Sequence, residues 1–343
     1  MLLDPATGQP AATNTAVADA ARRRGVELQL ELTSCQVETA TEPMNTAAEL
    51  GEELRRLRRV AAEAAEECGA VLLAVGLPPT APHEFPITDT PRYRQIADRY
   101  GMVAHEQGIC GCHVHVAVPD RDTAVQVCNR LRPWLPVLLA LSANSAVYRN
   151  ADTGYASWRS ILWGRWPSAG PPPHLDSAAD YDELVRRLQD TGAMLDDGMV
   201  YWDARPSAKF PTVEVRVADV PATTAETVLL ATLSRAAVMT ALTEIRCGAT
   251  EILIPDTLLR ARYWRAARDG LTGYTREAMA SFLAAVSPAL HELGEYEYVT
   301  SELDRIGGDG SDGGNGAIRQ RRAWQRRGDV ADVLAEATEA TLR

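Results

Sequence analysis

Residues 111–117 read GCHVHVA, and two imidazoles placed two positions apart on a strand project to one face. His113 and His115 share that face with Gly111 and Ala117, while Cys112, Val114 and Val116 take the other. Imidazoles hold metals or move protons near neutral pH. The small neighbours leave room for a ligand over the rings; the competing reading is a pair of hydrogen-bonded histidines on a solvated face. Cys110 and Cys112 beside them suggest zinc, but alternation sends thiols and imidazoles to opposite faces, which one tetrahedral site cannot collect.

Acids and arginines supply the rest of the chemistry. Glu31 and Glu38, in ELTSCQVE, lie seven positions apart. On one straight strand they would face opposite ways, so a common site requires a bulge or bend, placed at Thr33–Cys35. In TVEVRVAD, Glu214 and Arg216 share a face opposite Val213, Val215 and Val217. Arg205, after YWD, belongs to the same hairpin. Arg319, Arg321 and Arg322 follow a glycine-rich loop, 307–316, which is expected to be flexible. That order suits a loop closing over phosphates, or merely an exposed basic helix start. Each piece alone has an ordinary structural explanation. Together they describe a polar sheet face whose carboxylates and histidine suit Mg²⁺ or Mn²⁺ better than zinc. Phosphoryl transfer needs divalent ions to bridge phosphates and arginines to take up developing charge.

The chain that must position these groups has 343 residues, 46% of them apolar, enough to bury a large core. A net charge of −11 argues against a nucleic-acid partner. The most apolar stretch, VLLATLSRAAVMTALTEI, is broken by Arg235 and reads as a buried helix, so no membrane span is expected. Six scattered cysteines and the absence of a signal-peptide pattern suggest a reduced cytoplasm. Oligomeric state is left open, a homo-oligomer included.

Periodicity predicts a short helix stopped by Gly25, a half-buried strand over VELQLEL continued by QVETATEP, and an amphipathic helix over 46–69. A buried strand over AVLLAVGLPP, the HVHVAV strand and a helical region over 122–145 follow. Residues 146–174, rich in Trp, Tyr, Gly and Pro, read as an active-site loop. A helix over DYDELVRRLQDTG precedes a strand pair within 199–220, and the remainder is mainly helical. No repeat or domain linker is visible. The pattern predicts one α+β domain with an open sheet.

The segments ELTSCQVE, GCHVHVAVPD, LSANSAVYRNADTGYASWRS, WDARPSAKFPTVEVRVAD, YWRAARDGL and GNGAIRQRRAW occur here in an order that resembles the type 2 glutamate–cysteine ligase family, the carboxylate–amine ligases related in fold to glutamine synthetase. The resemblance implies a single catalytic domain over 1–343, with a curved, mainly antiparallel sheet carrying helices on its outer face. It implies ATP and Mg²⁺, with Mn²⁺ as a substitute, as cofactors. Glutamate and an amine such as cysteine would be the substrates, joined through an acyl phosphate with release of ADP and phosphate. Carried over by motif, Glu31, Glu38, His113 and Glu214 would hold metal. Arg205 and Arg216 would act on the phosphates or the acyl phosphate. Arg319, Arg321 and His115 would serve the nucleotide, and Ser142, Asn144, Thr153, Tyr155 and Arg159 would line the substrate side. Family members usually open with a GVEEE-like strand before an LLDPATG-like segment. Here LLDPATG follows Met1 directly, so that strand and its acids are expected to be missing, with Glu27, on the acidic face of its strand, a candidate substitute. This motivates an alternative, a catalytically impaired paralogue that binds nucleotide or amino acid. A second alternative is a metal-dependent hydrolase using the His113/His115 pair.

Overall fold

The computed structural model describes residues 1–308, 310 and 313–343. Of the predicted flexible loop, Asp309, Ser311 and Asp312 lie outside the described residues. Nine short strands occur in the described residues: β1 (Leu2–Leu3), β2 (Gln29–Leu30), β3 (Val37–Glu38), β4 (Val71–Leu72), β5 (Gly111–Ala117), β6 (Val147–Tyr148), β7 (Ala151–Asp152), β8 (Ala204–Pro206) and β9 (Thr212–Asp219). The first eight helices are α1 (Asn14–Arg23), α2 (Ala47–Glu67), α3 (Pro91–Tyr100), α4 (Met102–His105), α5 (Arg121–Leu131), α6 (Leu135–Ser142), α7 (Trp158–Trp163) and α8 (Ala178–Asp190). They are followed by α9 (Thr224–Arg246), α10 (Asp256–Asp269), α11 (Tyr274–Leu293), α12 (Tyr296–Gly307), α13 (Gly316–Arg327) and α14 (Val330–Thr341). The α+β class holds, and the ladders are all antiparallel.

The sheet is more broken than alternation suggests. It divides into the pairs β1–β4, β2–β3 and β6–β7 and the three-stranded order β5–β9–β8. Single backbone bonds join several pieces: Leu2 N–H donates to Cys35 O, Leu73 N–H to Met1 O, and Cys110 N–H to Gly76 O. The strand expected over VELQLEL shrinks to Gln29–Leu30 because side chains take its carbonyls. Tyr93 Oη donates to Leu30 O at 3.0 Å and Thr88 Oγ1 to Glu31 O at 2.6 Å. QVETATEP does not continue that strand. The chain reverses at Ser34–Cys35, within the predicted bend, and β3 pairs back on β2 with Gln29 opposite Glu38.

Helices follow the sequence more closely. Thr46 and Glu49 form a reciprocal capping box at the start of α2. The apolar helix α9 is long and apolar enough to cross a membrane, but it is the central core helix, with Leu229, Leu230, Leu233 and Val238 sealed from solvent. It meets α5, α6 and α11 and the inner side chains Val213 and Val215 of β9. That core leaves the other face of β5–β9–β8 free for polar groups. A second core joins α1 to α2, and a third joins α3 and α8 around Trp166 and Trp202. All six cysteines are free thiols.

Candidate functional site

Register sets the centre of the site. Glu214 lies on the middle strand, opposite His115 on β5 and opposite Arg205 on β8. Arg205 Nε donates to Glu214 Oε2 at 2.8 Å, and Arg216 Nη1 donates to Glu214 Oε1. Two positions along a strand return to the same face, which is why Arg216 reaches Glu214. The Glu214 side chain is only 6% exposed. Burial pushes its carboxyl up, but Arg216 and Arg205 outweigh burial and hold it down at about 2.

The imidazoles sit beside this cluster. His113 Nδ1 is 3.3 Å from Arg216 Nη1; a guanidinium only donates, so Nδ1 accepts and the neutral ring carries its proton on Nε2. Burial, then Arg216, holds the His113 pKa well below its usual value. His115 Nδ1 lies 2.9 Å from Thr212 Oγ1, and burial depresses its pKa as well. Both rings are therefore neutral bases at pH 7. Cys112 packs into the core with Val114 and Val116, on the side away from the imidazoles.

A β-bulge completes the face. Cys112 pairs with Ala218 and Val114 with Val215, so Arg216 and Val217 together oppose His113. Beyond the bulge Asp219 pairs with Gly111 and so joins the polar face. Strict alternation would leave Asp219 with Val213, Val215 and Val217. Asp219 accepts from Asn144 N–H at 2.8 Å, Ser145 Oγ at 2.7 Å and Ser157 Oγ at 2.8 Å. Its Oδ1 lies 3.7 Å from Arg159 Nη1. Arg159 is buried; it also donates to Val217 O at 3.2 Å and lies over the Trp163 ring. The space over Gly111, expected to admit a ligand, belongs to Arg159: a Cβ there would stand 2.7 Å from Arg159 Nη2. Asp203 is a further buried acid, pushed up to about 6 by burial against the pull of Arg159 and Arg216.

Glu31 and Glu38 form a carboxyl pair near this face. Burial raises both, and each hydrogen-bonds the other. Burial, then the charge of Glu31, pushes Glu38 up to about 7, so the pair retains a proton near neutral pH. Arg216 acts electrostatically on both acids, lowering each against burial, and Glu214 raises Glu38.

Several predicted residues have other work. Ser142 Oγ donates to Leu138 O in its own helix at 2.9 Å. Asn144 Nδ2 donates to Ala74 O and Val220 O, and its Oδ1 accepts from Gln320, so it binds three segments together. Thr153 Oγ1 donates to Ala146 O, and Tyr155 packs between Trp158 and Arg268. Arg319 is buried, 2.7 Å from Glu226 and 3.6 Å from Glu336, so its charge is spent inside the protein. Arg321 faces Asp152 at 3.4 Å. Both arginines predicted to serve the nucleotide are thus engaged in ion pairs around α13.

Of the predicted four-residue metal set, His113 Nδ1 stands 3.5 Å from Glu214 Oε1, and Glu31 is paired with Glu38. Among the described residues, no three His, Cys, Asp or Glu side chains are gathered as a metal cage. The physical reason lies in the arginines, which take both oxygens of Glu214. The Glu31–Glu38 pair is different: two half-buried carboxyls sharing one proton are hard oxygen donors that a divalent cation would satisfy by displacing that proton.

Comparison with known proteins agrees with the motif order. Residues 1–336 match the model of glutamate–cysteine ligase family 2. A protein of Mycolicibacterium smegmatis named "Putative glutamate--cysteine ligase 2-3" is 60% identical, over 100% of this chain and 96% of its own length. "Putative glutamate--cysteine ligase 2-2" of Mycolicibacterium vanbaalenii is 62% identical over the same shares of each chain. One from Salinispora tropica, "Putative glutamate--cysteine ligase 2", is 47% identical over 99% of this chain and 93% of its own. Taken with the acids, imidazoles and arginines gathered on β5–β9–β8, these matches show that the chain belongs to glutamate–cysteine ligase family 2.

Proposed function

We propose that the protein is an ATP-dependent carboxylate–amine ligase that joins the γ-carboxylate of glutamate to an amine, cysteine being the acceptor that the family name supplies. One observation carries this reading: Arg205 and Arg216 meet Glu214 on one sheet face, buried Arg159 reaches that face from α7, and Arg216 acts on the carboxyl pair of Glu31 and Glu38. The arginines suit phosphoryl and acyl-phosphate oxygens, and the acids suit a cation. The joined small sheets are read as parts of one curved sheet of the glutamine synthetase kind.

In the first step a γ-carboxylate oxygen attacks the γ-phosphorus of ATP, and the bond to ADP breaks. In the second the amine nitrogen attacks the acyl carbon, the carbon–oxygen bond breaks, and phosphate leaves. Glu31 and Glu38 would hold Mg²⁺, which when bound supplies charge neutralisation at the phosphates. Arg216 and Arg205 orient the anionic oxygens. Neutral His115, partly exposed, takes the proton that the amine loses.

Purified protein supplied with ATP, Mg²⁺, glutamate and a panel of amines tests the reading through phosphate release. Release should require all four components together and fall at least about a hundredfold in Arg216→Met. Nucleotide binding without turnover on any amine would favour the impaired paralogue. Metal-dependent hydrolysis indifferent to ATP would favour the hydrolase.

A further inference from the structure

A pocket with both charged and apolar walls lies on the far side of α7. Its volume is about 190 Å³, and it is lined by Glu106, Tyr148, Arg149, Trp158, Leu162 and Arg165. Trp158 and Leu162 are one turn apart on α7 and form one wall. Arg159, one residue on and so about 100° round the helix, turns instead to Asp219 and the β9 face. The helix therefore separates the two places.

The charges in this pocket have a definite pattern. Arg165 Nη1 donates to Glu106 Oε2 at 2.6 Å, and Arg149 Nη2 reaches Glu106 Oε1 at 3.4 Å. Two guanidiniums share one carboxylate, which leaves one positive charge in excess. A carboxylate has about four lone-pair sites, so Glu106 still has capacity to accept. Arg149 also stacks on the Tyr148 ring at 5.4 Å.

The backbone under Arg149 is strained. Arg149 and Asn150 form the two-residue loop between β6 and β7, with φ of 51° and 59°. That loop normally takes Asn-Gly, because left-handed φ disfavours a Cβ. Strained residues of this kind cluster at ligand sites, where the side chain is needed.

We propose that this pocket binds the zwitterionic head of a small α-amino acid, as a site separate from the Glu214 cluster. Arg149 and Arg165 take the carboxylate, Glu106 accepts from the ammonium, and Trp158 and Leu162 cover a short side chain. The volume, below the roughly 300–1,000 Å³ of pockets for drug-sized ligands, suits a small head group. The proposal stands independently of the ligase reading.

The test uses the full-length protein without ATP or Mg²⁺, titrated with L-alanine by calorimetry and by tryptophan fluorescence. Saturable binding of L-alanine, with none of propionate or ethylamine, is expected. Arg149→Gly and Arg165→Met should each weaken it at least about tenfold. Glycine relieves the φ strain at 149, so an unchanged melting temperature in Arg149→Gly separates loss of the site from loss of the fold. Arg216→Met, in the other cluster, should bind L-alanine as the wild type does. Three results would overturn the proposal: no binding up to about 10 mM, a much weaker limit than the ~1 mM that corresponds to about 4 kcal/mol; binding unchanged in both pocket variants; or binding abolished by Arg216→Met.

Discussion

Replacing Glu214 by Gln should remove about 3 kcal/mol of stability at pH 7. Arg216 and Arg205 lower this carboxyl from 4.5 to about 2. At 1.36 kcal/mol per pH unit, that difference is worth about 3 kcal/mol. The sign follows from linkage. Between those two values the unfolded chain holds the proton and the folded chain does not, so stability is full above pH 4.5 and lost as pH falls towards 2. Glutamine resembles the protonated acid, and both leave Arg205 and Arg216, themselves 12% and 9% exposed, without a counter-charge. With an unfolding entropy of ~2.1 cal/mol/K per residue, 343 residues give about 0.7 kcal/mol/K, hence a drop of about 4 °C in Tm. Urea unfolding of both proteins from pH 7 to pH 3 measures the difference directly. The gap should be widest at pH 7 and narrow steadily below pH 4.5. A gap under about 1 kcal/mol that ignores pH would refute the claim that this acid is clamped by two arginines.

The same contacts give three further expectations. Gly111→Ala forces a Cβ against Arg159, so phosphate release should fall at least about tenfold at a stability cost of about 1–3 kcal/mol; full activity would show that Arg159 has no positioning role. Arg319→Met leaves buried Glu226 without its nearest cation and should cost about 3–5 kcal/mol in urea unfolding with KM for ATP unchanged, whereas a raised KM would restore Arg319 to the nucleotide site. Glu38 keeps its proton in the fold up to about pH 7 while the unfolded chain loses it near 4.5, so the pair's contribution falls across that window. Glu38→Gln should flatten this part of the stability profile, and Mg²⁺ should raise the Tm of the wild type more at pH 8 than at pH 5.

Much of the architecture is legible in the sequence. The helix expected over 46–69 is α2, Ala47–Glu67, because its cap and its apolar spacing are local properties. The segment of residues 146–174 is less legible: it resolves into the β6–β7 hairpin and α7, whose turn residues Arg149 and Asn150 lack the usual glycine signal. The shared face of Glu214, Arg216, His113 and His115 follows from a period of two, and so was visible in the spacing. The shared location of Glu31 and Glu38 required a bend that the spacing could demand but not prove.

What the sequence determined by itself is therefore the family, the α+β class and which side chains share each face of a strand, since all of these depend on neighbours along the chain. Tertiary structure decided the partners. A one-residue bulge in β9 turned Asp219 from the core side to Arg159, and no periodicity announces a bulge. Arg319 met Glu226 across 93 positions of sequence, and Arg205 met Glu214 through the register of β8 on β9. A charge is committed by whichever counter-charge packing brings within a few ångströms, and that distance is a property of the fold rather than of any segment.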